Sequence, residues 1–412
     1  MLRVIEAFSG IGAQAKALEN LEIPHEIVAT IEWDINAIYA YDVIHNGKQN
    51  LSKYSNLTKE DILKKFSNIT LSSDGKKPIT QRSLESMSEI NLKRIYCAIE
   101  RTNNLISITD VKAKDIEDNI DLLTYSFPCQ DLSICGAWHN NKSGIDRNAH
   151  NRSGMLWEVE RILKEYVSIG KDLPKFLLME NVSNILSEAH KYNFKDWQNY
   201  LESIGYINQI YTLNSKNFGI PQTRERTYMI SVLSQNLEEQ EKINEYFISN
   251  NLEQNQEHNG IEMKNLQSFL RVDYSIPKYK LEADISNPND TPSRKKIYQD
   301  NPIIFDGKKM NEKYIKTITT KQDRNPNSGI IAYKGKKGKS KYRNLTPREC
   351  FMLMGFDEQD YQNLVDNNFL NRGKNFYARE KMIKLAGNSI VVNVLEAIFK
   401  QIDEINNTIL KK

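Results

Sequence analysis

The chain has 412 residues, 39% of them hydrophobic and 26% charged, with a formal net charge of +3. That length can bury a full core and suggests two domains, and the composition is that of a soluble globular protein. No apolar run approaches the length of a membrane span, the first residues enter a strand with no signal peptide, and +3 is too small to announce a nucleic-acid binder by itself. Cys97, Cys129, Cys135 and Cys350 show neither metal-ligand spacing nor a disulfide framework, so a reducing cytoplasm and no metal are expected.

In chain order, a strand is predicted at 4–8 and a helix at 13–21, then a strand at 26–31 and a helix from about 36. Residues 46–106 are polar and lysine-rich and read as an insertion carrying helices of its own. Strands follow at 120–126, 176–179 and 227–232, with helices near 156–166 and 194–204. This alternation argues for βαβ units and a mostly parallel sheet, an α/β fold over 1–232. Residues 236–265 are rich in Asn, Gln and Glu, and Pro277, Pro288 and Pro292 read as breaks, so a smaller, irregular domain is expected over 233–364. Regular structure should resume at 346–356 and 382–402, with 365–412 returning to the first domain.

Glu6-Ala7-Phe8-Ser9-Gly10-Ile11-Gly12 joins the first strand to the first helix. Gly10 and Gly12 allow a sharp turn and close approach to a ligand at a helix start. Ala15 replaces the third glycine of a dinucleotide fingerprint, and no Lys-Ser/Thr pair marks a triphosphate loop. The second strand ends at Glu32-Trp33-Asp34, where an acid can accept from ribose hydroxyls and Trp33 can stack on a purine. Together these suggest an adenosine-containing cofactor not anchored by pyrophosphate, which S-adenosylmethionine fits better than NAD.

Phe127-Pro128-Cys129-Gln130 follows the apolar run 120–126, and Glu180-Asn181-Val182 follows the run 176–179. Ligands of open α/β sheets gather outside the carboxyl ends of the strands, so thiol and carboxyl are expected to face one cleft. That pair suits covalent attack on an electron-poor ring that must be protonated at the same time. Near the other end, the run from Lys334 to Arg343 is basic with no acidic residue.

These segments, in this order, resemble the DNA cytosine-5 methyltransferase family. Phe8-Ser9-Gly10-Ile11-Gly12 resembles its cofactor loop, Pro128-Cys129-Gln130 its nucleophile motif and Glu180-Asn181-Val182 its acid motif. Gln222-Thr223-Arg224-Glu225-Arg226 resembles its double-arginine motif, Arg343 to Cys350 a late structural motif and Gly387-Asn388-Ser389 the last cofactor motif. The resemblance implies a Rossmann-like, S-adenosylmethionine-dependent methyltransferase sheet with a smaller target-recognition domain. It implies a duplex-DNA substrate whose target cytosine is flipped out, action as a monomer, and pairing with a restriction endonuclease. Cys129, Glu180, Arg224 and Arg226 would carry the chemistry. Phe8, Gly10, Ile11, Gly12, Glu32, Trp33, Ser107, Ile108, Pro128 and Asn388 would hold the cofactor.

Two positions depart from the family. Ser107-Ile108 stands where Asp-Ile is usual at the end of a third strand, with Asp110 the other candidate for the adenine contact, and Leu385 stands where Gln is common. The segment 131–154, with Gly136, Gly144 and Gly154 and ending at Arg152-Ser153-Gly154, resembles the family's loop over the flipped base. Lys316-Thr317-Ile318-Thr319 resembles a mark of its recognition region. Lys321, Gln322, Arg324 and Asn325 are side-chain types that read base edges, and 334–343 would contact phosphates. A tRNA cytosine-5 methyltransferase is the runner-up, but that branch's Cys-Phe-Thr tripeptide is absent. A non-catalytic base-flipping protein is opposed by Cys129, Glu180 and Arg226.

Overall fold

The computed structural model describes residues 1–129, 132, 144–147, 153–254, 262–324 and 327–410. Its centre is a six-stranded sheet. The strands are β1 (Leu2–Ala7), β2 (His25–Ile31), β3 (Leu122–Tyr125), β4 (Phe176–Val182), β5 (Tyr206–Asn214) and, after the two-residue β6 (Gln222–Thr223), β7 (Glu225–Leu233). Their order across the sheet is β2-β1-β3-β4-β7-β5. β3 and nearly all of β1 and β4 are buried, as near-continuous apolar runs must be when helices cover both faces.

β1 to β4 pair in parallel, but β7 runs antiparallel to both of its neighbours, β4 and β5. A parallel strand at this point would need a crossover of a dozen or more residues, and only 215–224 lie between β5 and β7. β5 itself was absent from the sequence-based expectation. Its Asn208-Gln209 pair and half-buried pattern dilute the apolar signal. β4 also extends beyond its apolar run to Val182, so Glu180 and Asn181 belong to the strand and do not follow it.

The helices Ala13–Asn20, Ile35–His45 and Val392–Ile405 cover one face of the sheet, and Leu156–Ser168 and Lys191–Ser203 cover the other. The helix Glu89–Arg101, from the expected insertion, packs on Ile35–His45 and fully buries Leu92 and Ile95, so it belongs to the same layer. The stretch Arg379–Leu410 is apolar and long enough to cross a membrane by length and composition. Most of it is instead buried inside the protein, as the helices Arg379–Asn388 and Val392–Ile405.

Pro277 and Pro292, expected to break structure, open the helices Pro277–Ser286 and Pro292–Asp300. The first helical turn has no use for the missing N–H, and the fixed φ of proline favours the start. Beyond them lie β8 (Ile303–Phe305), β9 (Ile315–Lys316), β10 (Ile330–Ala332) and β11 (Tyr342–Arg343). β8, β10 and β11 form a small sheet, while β9 pairs with β6 and so connects this region to the double-arginine segment.

Candidate active site

Cys129 stands four residues past β3, on a turn fastened from several sides. Phe127 is buried, and its carbonyl accepts from Asn181 Nδ2 at 3.0 Å. Ser153 Oγ donates to the Pro128 carbonyl at 2.8 Å, and Leu132 N–H donates to the Cys129 carbonyl at 3.0 Å. Asn184 Nδ2 donates in turn to the Leu132 carbonyl at 2.7 Å. The β4 segment thus holds the cysteine turn through two asparagine amides. Gln130, Cys135, Gly136 and Arg152 lie outside the described residues.

Glu180 reaches the same place because of strand register. Val182 pairs with Arg226 and Glu180 with Tyr228, so Glu180 and Arg226 are diagonal neighbours on one face of the sheet. Arg226 Nε stands 3.3 Å from Glu180 Oε1. Burial is the largest influence on the Glu180 carboxyl and raises its pKa above the ordinary value, against the opposing charges of Arg226 and Arg224. Burial likewise raises the Cys129 thiol, while Arg226 acts to lower it and Glu180 to raise it. An acid held towards its protonated form therefore lies within electrostatic reach of a thiol whose thiolate a guanidinium favours.

Arg224 is placed differently from its partner. It is buried, and its guanidinium donates to the carbonyls of Ile318 at 2.9 Å, Ser389 at 2.8 Å and Gly387 at 3.3 Å. It ties its own segment to two distant ones, at Ile318 and at Gly387–Ser389. Gln222, which the sequence marks as part of the motif but without a role of its own, works beside it. Its amide donates to the Leu353 carbonyl at 2.8 Å, and its carbonyl oxygen accepts from Ile318 N–H at 2.8 Å. Gly387 is required here, since a Cβ would lie 2.5 Å from the backbone of Thr319.

The loop after β1 turns through left-handed residues Phe8 (φ 58), Gly10 (φ 56) and Gly12 (φ 78). At Gly12 the need is internal packing, because a Cβ would lie 2.2 Å from His45 Nε2. At Gly10 a Cβ would have only the Phe8 carbonyl, at 4.0 Å, so there the backbone is open to a ligand. The Ile11 side chain is buried, and its carbonyl accepts from His45 Nε2 at 3.1 Å. Glu32 ties the loop to β2, accepting from Gly10 N–H at 3.2 Å and Asp34 N–H at 2.8 Å. Burial, then the nearby Asp34 charge, pushes its carboxyl up to about 7.

Asn104 is a second residue that sequence reasoning missed. Its amide brackets the Glu32 backbone, accepting from the N–H at 3.1 Å and donating to the carbonyl at 3.0 Å. Ser107 and Ile108 follow it in a loop and are not at a strand end; Ser107 is buried, whereas Asp110 is exposed. Trp33 is half-buried beside the core. Asn388 is exposed at the end of its helix, and that helix is tethered to the Trp33 turn by Lys384–Asp34 at 3.0 Å.

Two side chains expected to touch DNA are withdrawn from it. Arg343 is fully buried in a bidentate pair with Glu349, with both N···O distances 2.8 Å. Gln322 is buried and donates to Ser328 Oγ at 3.1 Å. Charge and polarity suggested exposure, and an internal partner reversed it in each case. Asn325 lies outside the described residues.

The family profile described as C-5 cytosine-specific DNA methylase matches residues 81–404. The chain belongs to the C-5 cytosine-specific DNA methylase family. This methylase is 35% identical over 410 residues to the orphan methyltransferase M.SssI of Spiroplasma monobiae, covering 97% of each chain. It is 33% identical to the type II methyltransferase M2.ScrFI of Lactococcus lactis subsp. cremoris, covering 98% of this chain and 99% of that one. Among solved structures, the S. pombe Dnmt2 methyltransferase superposes with a TM-score of 0.58 at 18% identity, over 99% of this chain and 100% of the other. The Entamoeba histolytica methyltransferase EhMeth does so with a TM-score of 0.54 at 16% identity, over 100% and 99%. At that identity these likenesses speak to the fold, which is the S-adenosylmethionine-dependent methyltransferase fold.

Proposed function

We propose that this methylase acts on duplex DNA through a covalent adduct at Cys129, with Glu180 as the proton donor. The observation that carries the reading is the meeting of three groups at neighbouring strand ends: the Cys129 turn after β3, Glu180 in β4 and Arg226 in β7. Cytosine C5 is a poor nucleophile until the ring is activated. The Cys129 thiolate adds to C6 while the Glu180 carboxyl gives its proton to N3, leaving C5 with enamine character. Once C5 carries the transferred methyl group, water takes the C5 proton, the C6–S bond breaks to release the Cys129 thiolate, and N3 returns its proton to Glu180, so the aromatic ring is restored. Arg226 holds the cytosine O2 and keeps Glu180 in place. Arg224 braces the site from behind, through the carbonyls it joins. The target base must leave the stack to reach these groups, at a cost of roughly a few kcal/mol.

S-adenosylmethionine supplies an electrophilic methyl group when bound. The residues fit it. The backbone at Gly10 is open, Glu32 is an acid at a strand end beside that loop, Trp33 follows it in sequence, and Asn104, which brackets the Glu32 backbone, leads into the loop of buried Ser107 and Ile108. Phe8 and Pro128 border the same end of the sheet, and Asn388 comes from the tethered helix. Among the described residues, no group of His, Cys, Asp and Glu is arranged to hold a metal ion. We read the protein as a cytoplasmic monomer of a restriction-modification system with a partner endonuclease. M2.ScrFI is named as a type II methyltransferase, while M.SssI is named as an orphan, so the endonuclease is the finer part of the proposal. Recognition of a short site is assigned to 250–343.

Labelled cofactor offered with duplex DNA and with tRNA tests the substrate. Label in DNA alone is expected, and label in tRNA alone would replace the reading with the RNA branch. Bisulfite sequencing after expression in a methylation-free host should then show one fixed motif around every protected cytosine.

A further inference from the structure

The segment from Asn287 to Asn301 carries a helix, Pro292–Asp300, none of whose residues is fully buried. A helix this polar is marginal on its own. It is held by its neighbours instead. Ser340 N–H donates to the Pro288 carbonyl at 2.9 Å and Asp290 N–H to the Gly338 carbonyl at 3.2 Å. Asn287 Nδ2 donates to the carbonyls of Ser340 and Tyr342 at 2.9 and 2.7 Å, and the rings of Tyr298 and Tyr342 lie 5.5 Å apart. The lysine loop 334–341 is thereby folded against the start of the helix. Thr291, Ser293, Arg294 and Ile297 line a cleft together with Asp323 and Arg324.

Three segments far apart in sequence therefore present cations together. Lys295 and Lys296 are exposed on the helix, Arg294 and Arg324 face one cleft, and Lys337 and Lys339 are exposed on the loop. Lys295 pairs with Asp290 at 3.3 Å, a solvent-exposed contact of little worth that a phosphate can replace. The surface has the chemistry of a polyanion site and no apolar face to bury against protein. It is also connected directly to the active site. β9 pairs with β6, Thr317 Oγ1 donates to the Thr223 carbonyl at 2.6 Å, and Lys316 Nζ donates to Asn301 Oδ1 at 3.3 Å.

Resting on the reading of the protein as a DNA methylase, we infer that the helix Pro292–Asp300, Arg324 and the lysine loop form one phosphate-binding face that seats the duplex without reading its sequence. Phosphate contacts fix register and orientation, while base contacts specify. The assignment replaces Arg343, whose guanidinium is committed to Glu349.

The test is the salt dependence of binding to a fluorescein-labelled duplex of arbitrary sequence, by anisotropy, using the full chain. Removing one cation that meets a phosphate should lower the slope of log K against log salt by about 1. Arg294→Ala with Arg324→Ala should lower it by about 2 and weaken binding to all duplexes alike. Lys64→Ala, an exposed lysine on the helix Lys59–Phe66, should leave it unchanged. Arg294→Lys with Arg324→Lys should keep the slope, which separates charge from folding. Bisulfite sequencing of the double alanine variant should return the wild-type motif. An unchanged slope, or an altered motif, would overturn the phosphate assignment while leaving the methylase reading intact. A wild-type protein that binds no duplex would overturn both.

Discussion

Arg226 Nε stands 3.3 Å from Glu180 Oε1, across an antiparallel pair of strands in an otherwise parallel sheet. The reversed strand makes this contact. Because β7 starts where β4 ends, the arginine at its beginning meets the acid near the end of its neighbour. Arg226 acts to lower the carboxyl's pKa and burial acts to raise it, and burial prevails.

Glu180→Gln should therefore slow single-turnover methyl transfer by ~10²–10⁴-fold while cofactor affinity holds, since an amide keeps the shape and has no acidic proton. The wild-type rate should also fall as pH rises through the raised Glu180 pKa, because the acid is spent once ionised. That alkaline limb should be missing in the variant. A variant turning over at the wild-type rate would assign the proton to another group.

Glu6 offers a stability counterpart. It is fully buried at the end of β1, and burial, opposed by His45, pushes its pKa up from 4.5 to about 7. A carboxyl with a raised folded-state pKa binds its proton more tightly when folded. Its contribution favours the fold fully below pH 4.5 and is lost as pH rises to about 7. At roughly 1.4 kcal/mol per unit, the loss is about 3 kcal/mol. Glu6→Gln should flatten this part of the curve of Tm against pH. Equal slopes in variant and wild type would place the titration elsewhere.

Arg343→Leu should destabilise the protein by about 3–5 kcal/mol, because it leaves the buried Glu349 carboxylate without its partner. Denaturant melts measure this directly. Replacing both residues by apolar ones should recover much of the loss. If Arg343→Leu instead leaves stability unchanged and weakens DNA binding, the side chain reaches solvent.

Much of this was legible in the chain. β1, its glycine turn and the Pro128-Cys129 turn show because apolar runs end abruptly at residues with special backbone needs. Glu180 shows as the charged residue at the end of an apolar run, although the strand itself continues to Val182. β5 was hidden because a half-buried strand carries polar residues on one side. The Pro292–Asp300 helix was hidden because it has no apolar face, and periodicity is the signal a helix gives. Pairings across long stretches, such as Gln222 with Ile318 and Leu353, leave no local trace. The Thr346–Glu349 capping box is a local signal that marks Glu349 as structural, but nothing near Arg343 announces that its charge is internal.

Cys129 carries the whole account, and trapping it is the direct measurement. Duplex DNA containing 5-fluorocytosine within the methylated motif blocks the final loss of the C5 substituent. With cofactor, the wild type should form an adduct that survives denaturing electrophoresis. Cys129→Ala should form none, since the buried Cys97 and Cys350 have no access to a base. Cys135→Ala should form it as the wild type does. Absence of an adduct from the wild type, or its survival in Cys129→Ala, would contradict the assignment.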